Sequence, residues 1–138
     1  MSTKDIVVTT PKNQVAKAVY EAKSCIDSGG GKYYRHFPSR PKHIAIGSKV
    51  FYVEDGFVRG FAMVVEIFCG KAFADPNTGM IVSIEESPLK QDGYTVVTDA
   101  ASWKWIKPIP MQGFQNYRYF DSSQVSVIGT WRDPKPKV

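Results

Sequence analysis

The sequence has few of the residues from which metal and redox sites are built. Its 138 residues include two cysteines, Cys25 and Cys69, and two histidines, His36 and His43. The cysteines are far apart, and neither pair has the spacing of a zinc site, so no metal or cofactor is predicted. For an intracellular chain, two buried free thiols are favoured over a disulfide.

Long apolar runs are also absent. No segment approaches the roughly eighteen apolar residues that a membrane-spanning helix needs. The start of the chain, MSTKDIVV, has no apolar signal-peptide core. We therefore expect no membrane partner and a cytoplasmic location. A chain of this length is expected to form a single domain over residues 1–138, with a frayed C-terminal tail at 133–138.

Acidic residues are scarce at both ends of the chain. Residues 1–40 hold seven cations against three acids, and residues 101–138 hold six against two. The middle, residues 41–100, holds five against eight, and the net charge is +5. If the two ends meet in the fold, they form one basic face that attracts polyanions. The alternative is that modest basicity serves solubility alone.

An amphipathic helix is predicted near the N-terminus. Thr10 can serve as its N-cap, with Pro11 at the first helical position. Apolar residues then recur at intervals of four, three and four positions, at Val15, Val19, Ala22 and Ile26. Gly29–Gly31 ends the pattern, because glycine readily adopts the left-handed conformation of a helix C-cap.

Most of the remaining pattern predicts β-structure. Residues 5–9 form an apolar β-branched run, and residues 50–53 and 57–68 flank Asp55-Gly56, a strong type I′ hairpin signal. Gly60 predicts a bulge or bend in the second of these strands. Further short strands are expected at residues 80–84, 94–98 and 125–131, with irregular structure at 32–41.

One clear helix and about five strands, without regular βαβ alternation, indicate an α+β fold. A small, mostly antiparallel β-barrel fits this order best, because closure removes the exposed edges of a curled sheet.

The segment Trp103–Phe120, WKWIKPIPMQGFQNYRYF, contains six of the eighteen aromatic residues and three cations, and it has no acidic side chain. The segment contains two prolines, and its apolar and polar residues do not alternate regularly, so a core strand is not expected here. Aromatic rings beside fixed positive charge are what a stacking site for bases needs. We therefore predict that this segment forms one wall of a cleft. The segment Lys32–Pro41 is also aromatic and basic, and its first six residues, KYYRHF, are expected to face this wall.

Trp103 and Trp105 are two residues apart, so in an extended segment both side chains point to the same side. They are predicted to stack on a planar base; the alternative is that both close the end of the barrel. Arg118 is predicted to contact an anion, with an ion pair to Asp121 as the alternative. The full set of predicted ligand-binding residues is Trp103, Trp105, Lys104, Lys107, Arg118, Tyr119, Gln115, Tyr34 and Arg35.

The stretch Gly47–Ile67, GSKVFYVEDGFVRGFAMVVEI, resembles the central hairpin of PUA-like domains, a superfamily that includes the ASCH and EVE families. The resemblance implies a small pseudo-barrel that binds RNA, modified bases or nucleotides in a cleft beside the barrel. The Gly-x-Lys-x-x-Glu-x-Arg signature of typical ASCH domains is not found. The hydrolytic activity of one ASCH branch is therefore not carried over to this chain.

These observations predict a nucleic-acid or modified-nucleotide-binding module with an aromatic-basic cleft and no catalytic residues. One alternative is a small hydrolase that acts on a modified base or nucleoside. Glu66 would be its general base if the side chain pointed inward rather than to solvent. A second alternative is a protein-binding adaptor whose aromatic strip is a hot-spot patch.

Overall fold

The structure, a computed structural model, describes residues 4–10, 15, 18–19, 31–37, 43–69, 72–74, 80–83, 94–114 and 117–136. Strands dominate this part of the chain. In chain order they are β1 Asp5–Thr9, β2 Lys32–Phe37, β3 Lys49–Glu54, β4 Phe57–Cys69, β5 Ala72–Ala74, β6 Ile81–Ser83, β7 Tyr94–Pro110, β8 Tyr117–Phe120 and β9 Val127–Thr130. A 3-10 turn at Ser122–Gln124 separates β8 from β9.

The strands form one large mixed sheet and one small hairpin. The order of the large sheet is β2-β7-β4-β3-β1-β8, and β9 pairs with β7 beside this path. Strands β1 and β3 are parallel, whereas the other pairs in this sheet are antiparallel. Strands β5 and β6 pair only with each other among the described strands.

The predicted closure of the sheet into a barrel is wrong. Strands β2 and β8 are the two ends of the path and do not pair with each other within the described residues. The sheet nevertheless curls, so that its two edge strands approach each other. The Phe37 ring of β2 lies 5.7 Å from the Tyr117 ring of β8, measured between ring centroids, and the rings are edge-on at 86°. The two edges therefore meet through aromatic side chains and not through backbone hydrogen bonds.

The predicted N-terminal helix falls almost wholly outside the described residues. Of residues 11–30, the structure describes only Val15, Ala18 and Val19, which have helical backbone. The bounds of the helix are therefore not described. Val15 and Val19 are buried and pack against the sheet.

The predicted hairpin between β3 and β4 is confirmed. Asp55 and Gly56 both have positive φ, 52° and 82°, as a type I′ turn requires. The register shifts beside Gly60, which pairs with Tyr52, so the predicted bulge is also confirmed. A side chain at position 60 would collide with the Trp103 indole and the Lys104 carbonyl oxygen. Glycine is thus needed here for close packing.

Two segments predicted as irregular are strands. Residues 32–37 form β2, and β7 continues past the predicted end at residue 98 to Pro110. Both Pro108 and Pro110 follow Ile106, the last residue of β7 that pairs with β9. The missing proline N–H groups therefore remove no hydrogen bond from that ladder, and the prolines are compatible with a strand end.

The sheet buries apolar side chains on both faces. Along β1 and β3, successive buried side chains belong alternately to two hydrophobic clusters, one on each face of the sheet. We call one side the inner face; its buried residues include Ile6, Val8, Phe37, Val50, Val64 and Val96. The other, outer face includes Val7, Phe51, Val58, Phe61 and Ile106. Met111, Phe114, Phe120 and Val125 pack over the outer face, so the segment after β7 covers it.

Candidate nucleic-acid interface

Trp103 and Trp105 lie in the core of the protein. Each has 1% of its surface exposed, and both pack with Val15, Val19 and Ala62. Side chains so deeply buried cannot stack on a base unless their packing neighbours move. The arrangement agrees with the alternative in which both tryptophans have a structural role.

The aromatic-basic segment does not form a single wall. Tyr119 of β8 pairs with Ile6 and so lies on the inner face. Its neighbour Arg118 pairs with Val7 and lies on the outer face. Because successive side chains of a strand point to opposite sides, the fold separates residues that are adjacent in sequence.

Arg118 is exposed on the outer face, where its guanidinium lies 4.4 Å from the centroid of the Phe114 ring. The expected competitor, Asp121, has another role. Its carboxylate accepts the Ser123 N–H at 3.0 Å and caps the 3-10 turn, and these hydrogen bonds lower the pKa of Asp121. Arg118 therefore remains accessible for an anion.

The other predicted cations are spread along the sheet. Lys104 is partly buried between Phe61 of β4 and Thr130 of β9, and Lys107 is exposed beyond it.

Strand β2 borders residues 94–99 of β7, so the segment at 32–37 does not face the tryptophans as predicted. Gln115 lies outside the described residues. Tyr34 is placed in β2 by its backbone, opposite Val97.

Arg35 is the predicted cation that the fold brings to the inner face. It pairs with Val96, an inner-face residue, and its Nη2 donates to the Thr9 carbonyl oxygen at 3.2 Å. Burial lowers the pKa of the Arg35 guanidinium, and nearby Tyr52 acts in the opposite direction. A partly buried guanidinium of this kind has donors left for a ligand.

Tyr52 connects Arg35 to the tryptophans. Its ring lies 5.6 Å from that of Trp103, and burial raises the pKa of its hydroxyl, which therefore stays protonated. The Trp103 Nε1 is buried and has no hydrogen-bond partner among the described residues. Arg35, Tyr52 and Trp103 thus place a guanidinium, a hydroxyl and an indole N–H along the inner face. Sequence reasoning missed Tyr52, although its alternation with buried Phe51 and Val53 was a usable signal.

A second accessible region surrounds Tyr119, which is 40% exposed. The Lys4 ammonium lies 5.5 Å from its ring centroid, and the His43 ring lies 5.5 Å away. The Tyr119 hydroxyl accepts the His43 backbone N–H at 3.3 Å. Sequence reasoning did not find Lys4 or His43 here, because both lie far from Tyr119 in the chain.

A pocket of about 470 Å³ opens at this edge, lined by Lys4, Asp5, Tyr119, Phe120, Asp121 and Ser122. Its carboxylates are already engaged. Asp5 accepts the Lys49 N–H at 2.8 Å and the Ser122 hydroxyl at 2.7 Å, while Asp121 caps the 3-10 turn. The pocket lining therefore includes one cation and two aromatic residues beside two hydrogen-bonded acids.

Glu66 is exposed near the end of β4, so the inward position required of a general base is not adopted. Among the described residues, no three His, Cys, Asp or Glu side chains are grouped so that they could hold a metal ion. The same part of the chain contains no helix with the length and hydrophobicity needed to cross a membrane.

The fold is similar to that of a solved structure, the crystal structure of ASCH from Zymomonas mobilis. The TM-score is 0.53, and the match covers 89% of this chain and 96% of that chain. This chain has an ASCH-like fold. Sequence identity is 16%, so the likeness shows the fold alone. No protein-family model matches the sequence, and a search of curated proteins finds no significant match.

The ASCH-like fold confirms the resemblance identified at the Gly47–Ile67 hairpin. That hairpin forms the centre of the large sheet. Strands β3 and β4 lie at the centre of the sheet, with β1 and β7 on either side.

Proposed function

We propose that this protein binds single-stranded nucleic acid, with RNA the first candidate, or a nucleotide, in the cytoplasm. Arg35 on the inner face would bind a phosphate or base carbonyl, supported by Tyr52. The observation that carries the proposal is the partly buried guanidinium of Arg35. Its Nη2 donates to the Thr9 carbonyl oxygen, burial lowers its pKa while Tyr52 is near enough to act in the opposite direction, and no ion pair to it is found among the described residues.

Desolvation makes this cation well suited to an anion. Partial burial removes water that would compete for its donors, and charge-assisted hydrogen bonds to phosphate are the stronger kind. The net charge of +5 adds long-range attraction for polyanions. The ASCH-like fold agrees with this role, since PUA-like domains commonly bind RNA or nucleotides.

The remaining accessible candidates are Lys104, Lys107, Arg118 and Tyr119, which we propose as secondary contacts. They lie on other parts of the sheet from Arg35, so they would contribute attraction to the nucleic-acid backbone and not recognition. Lys4 would join Tyr119 at the sheet edge. Once its packing neighbours move, Trp103 would take part through its Nε1, which has no partner among the described residues, and Trp105 would hold the Trp103 ring by their edge-to-face contact.

The test compares Arg35→Met with the matched variant Arg118→Met, each of which removes one guanidinium. Binding of fluorescein-labelled single-stranded RNA is measured by anisotropy across a salt series. We expect Arg35→Met to weaken binding by about tenfold or more at every salt concentration, because a buried charge-assisted contact is lost. We expect Arg118→Met to act mainly at low salt, and to reduce the slope of log K against log salt by about 0.7.

Equal, salt-dependent losses from the two variants would contradict an inner-face site. Absence of binding to RNA, DNA and free nucleotides by the unmodified protein would contradict the function itself. Thermal unfolding of both variants serves as the control for folding.

A further inference from the structure

The tryptophan cluster is crossed by the C-terminal segment of residues 131–136, which we call the strap. Trp131 packs against the cluster. The Trp105 Nε1 donates to the Asp133 carbonyl oxygen at 3.1 Å. Two residues later, the Lys135 ammonium forms an ion pair with the Glu54 carboxylate. The strap therefore places an acceptor and a cationic donor against the same part of the inner face.

Glu54, the last residue of β3, is fully buried. One of its carboxylate oxygens accepts the Val15 N–H at 2.7 Å, and the other binds Lys135. An ionised carboxylate removed from water needs such partners, since its desolvation is otherwise uncompensated. Lys135 supplies the only ion pair to Glu54 found among the described residues, and its side chain is itself 25% exposed.

A second buried charge lies beside Glu54. Arg59 is 5% exposed, and its Nε donates to the Glu54 carbonyl oxygen at 3.3 Å. Its Nη1 is buried, and no hydrogen-bond partner for it is found in the part of the chain that the structure describes. Buried donors are nearly always paired, so the closed arrangement leaves a donor that an additional acceptor would satisfy.

The strap is held to the rest of the fold by Trp131 on the tryptophan cluster, by the Trp105–Asp133 hydrogen bond and by the Lys135–Glu54 ion pair. It lies beyond β9 and outside the strands, and its local hydrogen bonds are those of a turn between Thr130 and Asp133. Release of the strap breaks no strand pairing among the described residues, but it leaves the buried Glu54 carboxylate without its ion pair, so a ligand that displaces the strap must supply a donor to Glu54. Release of the strap would free the Glu54 carboxylate as an acceptor and the Trp105 Nε1 as a donor.

We propose that the strap is an autoinhibitory stand-in for the ligand, and that it occupies a subsite for a nucleobase with an exocyclic amino group. In this arrangement, the Lys135 ammonium takes the place of the amino group on Glu54. The Asp133 carbonyl takes the place of a ring acceptor on Trp105 Nε1. Adenine and cytosine each present an amino donor next to a ring-nitrogen acceptor, guanine also carries an amino group, and uracil has none.

This inference rests on the proposed function and specifies which bases the same site takes. The two parts of the site are connected. Tyr52, beside Arg35, lies 5.6 Å from Trp103, and Trp103 lies 5.1 Å from Trp105, measured between ring centroids. Arg35 would hold the phosphate or carbonyl of a ligand whose amino-bearing base replaces the strap.

The first experiment compares Lys135→Met with Arg132→Met. Each removes one cation from the strap, but Arg132 is exposed and its guanidinium lies 5.1 Å from the centroid of the Trp131 ring, away from Glu54. Affinities are measured for labelled oligo(A), oligo(C) and oligo(U) RNA. We expect Lys135→Met to bind oligo(A) and oligo(C) at least about threefold more tightly than the unmodified protein. Loss of the ion pair to Glu54 should increase the population of the state in which the strap is released and the base can bind. Oligo(U) should show no gain, and Arg132→Met should show none with any RNA.

The second experiment uses the unmodified protein and so does not depend on the folding of a variant. Trypsin cleavage after Arg132 is followed with and without saturating oligo(A). Displacement of the strap predicts faster cleavage in the presence of oligo(A), and protection or an unchanged rate would overturn the proposal.

Other outcomes separate the two hypotheses. Normal RNA binding that weakens in Arg35→Met, but does not strengthen in Lys135→Met, overturns the strap and leaves the proposed function intact. Failure of the unmodified protein and of Lys135→Met to bind any of the three RNAs overturns both.

Discussion

The indole of Trp103 stands edge-on to that of Trp105, with ring centroids 5.1 Å apart and ring planes at 85°. Edge-to-face packing of this kind is favourable for aromatic pairs. Val15 and Val19 pack on the same cluster, so the two tryptophans join the segment before β2 to the central sheet. Their first contribution is therefore to the stability of the fold.

Substitution of Trp103 by alanine should lower the free energy of unfolding by about 3–5 kcal/mol, because it leaves a large cavity in a closed cluster. Urea denaturation followed by circular dichroism measures the loss. Trp131→Ala is the comparison variant. Because Trp131 is only partly buried, its substitution should lower the free energy of unfolding by a smaller amount. Near-native stability of Trp103→Ala would show that the indole is not part of the core.

Gly60→Ala should destabilise the protein by about 1–3 kcal/mol through overpacking. A Cβ atom at this position would lie 2.5 Å from the Trp103 Cζ2 atom and in collision with the Lys104 carbonyl oxygen. Gly113→Ala is a milder control, because its Cβ would lie 3.1 Å from the Thr9 Cγ2 atom. The prediction fails if the two variants have the same urea midpoint.

Asp5→Ala should lower the free energy of unfolding by about 1–3 kcal/mol, because two hydrogen-bond donors lose their acceptor. The Asp5 carboxylate joins three elements by accepting the Lys49 N–H of β3 and the Ser122 hydroxyl of the 3-10 turn. Asp121→Ala removes an exposed cap of the 3-10 turn and should lower the free energy of unfolding by less than Asp5→Ala does. Thermal denaturation of both variants gives the order, and a larger loss for Asp121→Ala would refute this assignment.

Stability should decrease at alkaline pH because of Tyr52. Burial raises the pKa of its hydroxyl in the folded protein above the ordinary value of 10.0. The unfolded chain therefore loses this proton first, so stability is complete below pH 10.0 and falls as the pH rises through the pKa of the folded state. Urea midpoints measured from neutral pH to above pH 10.0 should decline less for Tyr52→Phe than for the unmodified protein. Identical declines would assign the effect to other groups.

Local patterns predicted the parts of the fold that depend on neighbouring residues. The run at residues 5–9 is β1, the Asp55-Gly56 turn joins β3 to β4, and Gly60 marks a bulge. The extent of β7 could not be predicted in the same way. Residues 99–110 are strand because β4 and β9 pair with them, and these partners are distant in sequence.

The candidate site was predictable in residue type but not in position. Arg35 was predicted as a binding residue because it is a cation beside aromatic residues, and the structure places Tyr52, from a different strand, near it. Arg118 and Tyr119 looked like one binding surface in the sequence. The pleat of β8 places them on opposite faces of the sheet.

The sequence by itself determined the composition of the chain: an excess of cations, many aromatic rings and a hairpin that resembles those of PUA-like domains. These are properties of residue types and short spacings, which do not depend on the rest of the chain. Only the tertiary structure decided which rings are buried, since burial depends on contacts between distant segments. It places Trp103 and Trp105 inside the protein, Tyr119 at an edge, and Lys135 on Glu54, 81 positions earlier in the chain.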